Sequence, residues 1–355
     1  MKRSVLLLSA FMVLGSAMAQ NLNKTEAKAL QAFLNQPAVE KSTNGAALGY
    51  AGSVATVPGI KIANGHVTAI DWKDKHLAGQ LNLSNFPQLE KVEVSGNKLT
   101  ALNLSGNPAL VEVNAGRNRI SEFTVTNCPQ IQVLRLNRNR LSEMSVSAVP
   151  LIKKLNISGN QFEALDVTNA VNLEYLNCIG NRLEQLTVAG CQNLKNLYAS
   201  FNDLTGIELA GLVNLQSLNV NNNKISKLYV QNLPSLFTLL CSDNHMAELA
   251  VNNCKNINEI WAPYNDLTAL NVEGQQALQT VNVEWNDLSF LNLSNMNFLQ
   301  RVNAANNQLI TLDVSFCPML QTVIVSNNDM LTDFRDEGDS MLQNVVGLND
   351  WEAGY

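Results

Sequence analysis

Residues 89–104 read LEKVEVSGNKLTALNL, and residues 110–125 read LVEVNAGRNRISEFTV. Placed one above the other, they align Leu89 with Leu110, Val92 with Val113, Val94 with Ala115 and Asn97 with Asn118. The frame continues down the chain, with an asparagine every 21 residues at Asn97, Asn118, Asn139, Asn160, Asn181, Asn202, Asn223, Asn244, Asn265, Asn286, Asn307 and Asn328. Twelve hits in one register make most of this chain a single short unit stacked on itself, which is the sequence signature of a solenoid.

The unit is LxxLxVxxNxLxxLxV followed by five variable residues. Its first apolar column is Leu or Ile in every copy, and its third is small or branched, from Val94 and Ala115 to Ala304 and Val325. In-and-out alternation around the Leu-x-Val triplet predicts a short strand, and stacked copies predict a parallel sheet with rungs about 4.8 Å apart. The asparagine then turns the chain out of the strand. Its amide carries both donors and an acceptor, so it can pair turn groups that would otherwise be buried unsatisfied, and its repetition predicts a continuous ladder. The return segment (Leu99, Leu102 and Leu104 in the first copy) is too short for a real helix and reads as extended or 3₁₀.

This motif resembles the leucine-rich repeat over residues 67–332. The 21-residue period, with cysteine sometimes replacing a core aliphatic, resembles the internalin-J-like class of bacterial surface repeats. The resemblance implies a leucine-rich repeat solenoid: a curved right-handed coil with a parallel β-sheet on its concave face, an extended or 3₁₀ convex side and an N-terminal helical cap. It also implies a module that binds another macromolecule, often in adhesion or biofilm contexts. The chain departs from the listerial members in having no immunoglobulin-like module, LPxTG motif or wall anchor after the repeats.

The ends read differently. Lys2 and Arg3 precede the apolar run Val5 to Leu14, and Ala17-Met18-Ala19 offers small residues for cleavage, so residues 1–19 read as a secretory signal peptide. Secretion, or a cell-surface or periplasmic location, is the expectation, with no membrane-spanning segment. Residues 20–66 read as an N-terminal cap with a helix over 25–36, capped by Thr25 and stopped by Pro37. A Gly/Ala-rich connection (Gly45 to Gly59) then leads to a degenerate first rung, Val67-x-x-Ile70-x-Trp72. Residues 333–355 read as a C-terminal cap or tail, because Asp333 and Arg335 fall where apolar residues are wanted. Lys2 and Arg3 are two of the 24 basic side chains, so residues 20–355 carry 22 against 30 acidic ones, a net charge of −8. Such a balance disfavours nucleic acid as a partner.

Cys128, Cys191, Cys254 and Cys317 share one column at 63-residue intervals, as do Cys178 and Cys241 in the inner strand column. Three rungs amount to roughly 14 Å, beyond the roughly 7 Å between Cα atoms that a disulfide tolerates. Six buried free thiols packing as small hydrophobes are expected, even though export favours disulfides.

Enzyme chemistry is not indicated. GxSxG, HExxH and Walker-type segments are absent from the sequence. His66, His76 and His245 read as surface histidines without metal-ligand spacing. Asp203, Asp266 and Asp287 each follow a ladder asparagine but lack the acidic density of a calcium site. No catalytic residue, metal or cofactor is expected.

Side chains flanking the inward ones on the sheet face solvent. The first rungs carry charge there (Lys91, Glu112, Arg117, Arg135, Arg138, Lys154), and the last carry small polar groups. The middle rungs concentrate Tyr175, Tyr198, Phe201, Leu240, Trp261, Tyr264 and Trp285. Clustered exposed aromatics often mark an interface, so these seven are the candidate ligand-binding residues; the alternative is that the rings pack on each other, or that Phe201 and Trp285 turn into the strand-to-loop corner. A protein partner at a host or bacterial surface is the leading expectation, a glycan is the runner-up, and a self-associating scaffold is the third reading.

Overall fold

The computed structural model describes residues 22–168, 170–339 and 341–348. The expected signal peptide lies outside them, as do Trp351 and Tyr355. One sheet of 15 strands runs the length of the molecule. From Lys91–Glu93 onward, its three-residue strands recur every 21 residues through Thr322–Ile324, each pairing parallel and in register with the one before. The return side is extended, as read: short parallel sheets such as Tyr229–Gln231, Glu248–Asn252 and Ala269–Asn271 line it, with one 3₁₀ turn at Val146–Ala148. Between the two layers the apolar columns form a continuous core, in which Leu89, Val92, Val94, Leu99 and Leu104 and their equivalents are almost fully buried.

The asparagine ladder closes every turn. Asn223 donates from Nδ2 to the carbonyls of Val220 (3.0 Å) and Ala199 (3.0 Å), and its Oδ1 accepts the Leu204 N–H at 3.1 Å. Asn244 repeats this one rung on, with Cys241, Val220 and Ile225. Each inner-column carbonyl thus receives its own rung's amide and the next rung's. The pattern persists to Asn328, which bonds Val325, Ala304 and Leu309.

A second, partial ladder runs through the cysteine column. Asn107 donates to the Leu83 and Leu104 carbonyls and accepts the Phe86 N–H. One rung on, Cys128 takes the same place and its thiol donates to the Leu104 carbonyl at 3.0 Å; Cys191 and Cys317 do likewise with Val167 and Leu293. All six cysteines are free and buried. The column cysteines are therefore more than small hydrophobes: each thiol satisfies a carbonyl that an amide serves elsewhere. Burial pushes the thiols of Cys178 and Cys241 up to about 12, and those of Cys191 and Cys317 to about 11, so none of these four is a nucleophilic thiolate near neutrality. Ellman's reagent at pH 8 is expected to leave the native protein unmodified and to titrate six thiols in denaturant. Prompt reaction of the native chain would contradict this burial.

The caps depart from the sequence reading in three places. Helix α1 spans Lys24–Leu34, and its cap is Asn23, whose Oδ1 accepts the N–H groups of Thr25 and Glu26. Asparagine two residues upstream outcompetes the Thr25 hydroxyl because its side chain reaches both exposed donors. The Gly/Ala-rich connection contains a second short helix, α2 (Asn44–Leu48). At the other end, Leu312 pairs with Phe334, flanked by Thr311 with Asp333 and Asp313 with Arg335. One extra residue in this turn slides Phe334 into the apolar column and leaves Asp333 and Arg335 beside it, ion-paired at 2.6 Å. Asn344–Val346 then adds a final strand to the long sheet.

Candidate functional site

The seven candidate residues fall into two rows. Tyr175 occupies the first position of its strand, and Tyr198, Leu240 and Trp261 the third position of theirs. Register places Tyr198, Asn219, Leu240, Trp261 and Asn282 side by side on successive strands. Tyr175 and Tyr198 meet edge-on with ring centroids 5.6 Å apart. Trp261 is 38 % exposed.

Phe201, Tyr264 and Trp285 are not on the strands. They occupy the corner immediately before the ladder asparagine, where the chain leaves the sheet with φ of 56°, 55° and 55°. Every rung repeats this left-handed turn, and most fill it with residues suited to it: Gly96, Gly159, Gly180, Asn222, Asp243, Asn306 and Asn327. An L-residue with a bulky side chain costs roughly 1–2 kcal/mol there. The rings recover little of that by burial, since Phe201, Tyr264 and Trp285 are 60 %, 50 % and 50 % exposed. Tyr264 and Trp285 stack at 5.9 Å, whereas Phe201 stands apart from them across Asn222 and Asp243. The structure therefore brings together two ring pairs bridged by Leu240 and Trp261, with Phe201 as an outlier. Phe201→Asn is expected to stabilise the fold by about 1 kcal/mol, read as a higher denaturant midpoint. A lower midpoint would show that the ring supports the turn.

The charged rungs behave differently. Glu112 lies between Arg135 (2.7 Å) and Lys91 (3.1 Å), and hydrogen bonds from these two cations hold its carboxyl below the usual carboxylate range. That charge is largely satisfied within the face. Exposed rings also occur off the face, but singly: Tyr229 and Phe290 on the return side have Ala250 and Thr311 as register neighbours.

The histidine reading needs correction. His66 is no chance surface residue. Its Nδ1 lies 2.6 Å from Glu26, a carboxylate 1 % exposed that also accepts the Val67 N–H, so the pair fastens α1 to the first rung. His76 and His245 each meet one exposed carboxylate, Glu40 and Asp266. Among the described residues, no cluster of three or more His, Cys, Asp or Glu is placed to hold a metal, and no helix is long and apolar enough to cross a membrane.

The sequence motif alone did not show that the corner column is left-handed, although its Gly, Asn and Asp content carries that signal.

Residues 192–235 match the family described as leucine-rich repeats (2 copies). No curated protein matches the chain by sequence. Among solved structures it is similar to YopM from Yersinia pestis, with 21 % identity over 79 % of this chain and 89 % of that one and a TM-score of 0.58. It is similar to PEPR1–AtPEP1 with 18 % identity over 92 % of this chain and 52 % of that one, TM-score 0.65. For InlJ from Listeria monocytogenes the values are 21 % identity, 74 % and 68 % coverage, and a TM-score of 0.49. With the ladder, the columns and the parallel stack in place, the fold is a leucine-rich-repeat solenoid.

Proposed function

We propose that this chain is an exported recognition module that binds a protein partner across the middle rungs of its long sheet, through Tyr175, Tyr198, Leu240, Trp261 and the corner rings Tyr264 and Trp285. Leucine-rich-repeat folds commonly serve as protein-binding modules, and the similar PEPR1 was solved with AtPEP1. The observation that carries the reading is the corner row: bulky rings held at left-handed φ and left half-exposed. Strain without compensating burial is retained where a side chain serves a site. From Tyr175 to Trp285 the strip climbs five rungs, roughly 24 Å, a length suited to a protein footprint. A mixture of rings with an aliphatic Leu240 also favours a protein, since a glycan gains little from leucine. We place the protein outside the cytoplasm, at a cell surface, in the periplasm or secreted, in an adhesion or biofilm setting, and as a binder without enzymatic activity.

Site-specific photo-crosslinking tests the location. A benzoylphenylalanine at position 261 is expected to trap a discrete extracellular protein, and one at position 229 on the return side is expected to trap none. Crosslinking from 229 alone would place recognition on the opposite side.

A further inference from the structure

At the opposite, entry end of the same strands lies a groove of about 760 Å³ that the aromatic strip does not use. Asn196 and its register partners Ser217 and Thr238, the first residues of three successive strands, form one wall. Phe237 and Phe298, each 51 % exposed, rise from the loops that enter the strands. They are separated by three rungs, roughly 14 Å along the stack. Apart from Ala277 the rest of the lining is amide and hydroxyl, and no Asp, Glu, Lys or Arg contributes to it. This absence of charge is local. In the column that contributes Gln216, Phe237, Asn258 and Gln279, the two preceding rungs hold Glu174 and Lys195, paired with each other at 2.9 Å.

Asn258 is the most informative member. It is 8 % exposed, between Phe237 and Gln279 of the adjoining rungs, and its side-chain amide has no hydrogen-bond partner among the described residues. The ladder asparagines, ten of them as buried and Asn118 and Asn181 half-buried, are all paired. Only Ser105 Oγ and Asp339 Oδ2 are fully buried without a partner among the described residues, so the Asn258 amide still opens to the groove, where it can pair with a bound polar group.

We propose that this groove binds a neutral oligosaccharide. Amides present a donor and an acceptor in one plane, which matches adjacent sugar hydroxyls. Phenyl faces pack on the C–H faces of a pyranose ring, and the two rings are spaced to hold a short run of sugars between them. The volume lies within the range of about 300–1,000 Å³ usual for small-ligand sites. An uncharged lining gives no counter-ion for a uronate or sulfated sugar. The groove adjoins the protein-binding strip at Asn196, whose Oδ1 accepts from the Tyr198 hydroxyl at 3.3 Å, but Phe237, Phe298 and Asn258 lie outside the strip, so either site can fail alone.

Affinity electrophoresis through gels containing soluble β-glucan, glucomannan, xylan, dextran or polygalacturonate tests it. The wild-type chain is expected to be retarded by at least one neutral polymer and not by polygalacturonate. Phe237→Ala/Phe298→Ala is expected to abolish the retardation, and Asn258→Ala to weaken it at least tenfold. Trp261→Ala/Trp285→Ala, outside the groove lining, is expected to leave it unchanged, with thermal melts confirming that each variant is folded. No retardation by any neutral polymer overturns the proposal. So does retardation that survives loss of both phenyl rings, or that disappears only in the Trp261/Trp285 variant.

Discussion

Asn223→Ala is expected to destabilise the solenoid by about 3 kcal/mol, as would truncation of its ladder equivalents Asn202 and Asn244, which make the same bonds. The substitution strands the Leu204 N–H, a buried donor whose acceptor is the Asn223 carboxamide oxygen. It also halves the amide contacts of two carbonyls, Ala199 and Val220, which keep Asn202 and Asn244 respectively. One orphaned buried donor costs about 1–3 kcal/mol, and two weakened acceptors add a smaller amount each. Because each rung touches only its neighbours, the loss falls on one interface of a quasi-one-dimensional stack. Urea unfolding should show a lower midpoint together with a shallower slope as the two halves uncouple. Asn222→Ala, one residue away at a half-buried corner with φ of 54°, serves as the control and should cost only about 1 kcal/mol. Equal losses at both positions would remove the ladder from its structural role.

The architecture was legible because it is written in columns. Leu89, Val92, Val94 and Asn97 each recur at one spacing, and a single parallel stack satisfies all four columns at once. The ends were less legible, since caps break the period by definition. Asn23 and Thr25 are both competent helix caps by type, and only the position of the first free N–H groups separates them. Asp333 and Arg335 fell in the apolar columns because one inserted residue is invisible until Phe334 takes the place beside Leu312. The candidate strip was partly legible: alternation assigned Tyr198, Leu240 and Trp261 to the solvent side of the strands. It could not show that Phe201, Tyr264 and Trp285 stand on a left-handed turn, because that turn depends on the backbone and not on apolar spacing. The entry-edge groove was missed for a related reason. Phe298 lies in the five variable residues and Phe237 at an unspecified position between Leu236 and Leu239, where periodicity carries no signal and only folding brings them to one cleft.

Tyr198→Ala/Trp261→Ala is expected to remove binding of the crosslinked partner while sparing the fold. Buried aromatic anchors at the centre of an interface contribute about 2 kcal/mol or more each, so losing both weakens affinity by several hundredfold, on the scale of about tenfold per 1.4 kcal/mol. The fold loses little. Tyr198 gives up one edge-on contact with Tyr175, about 1 kcal/mol, and Trp261 has non-aromatic register neighbours in Leu240 and Asn282. The direct test is surface plasmon resonance of the crosslinked partner on the wild-type chain and on this double variant, each checked by thermal melting. A dissociation constant raised by about two orders of magnitude or more, with a melting temperature within a few degrees of wild type, is the predicted result. Undiminished affinity in a folded double variant would contradict recognition by the sheet face.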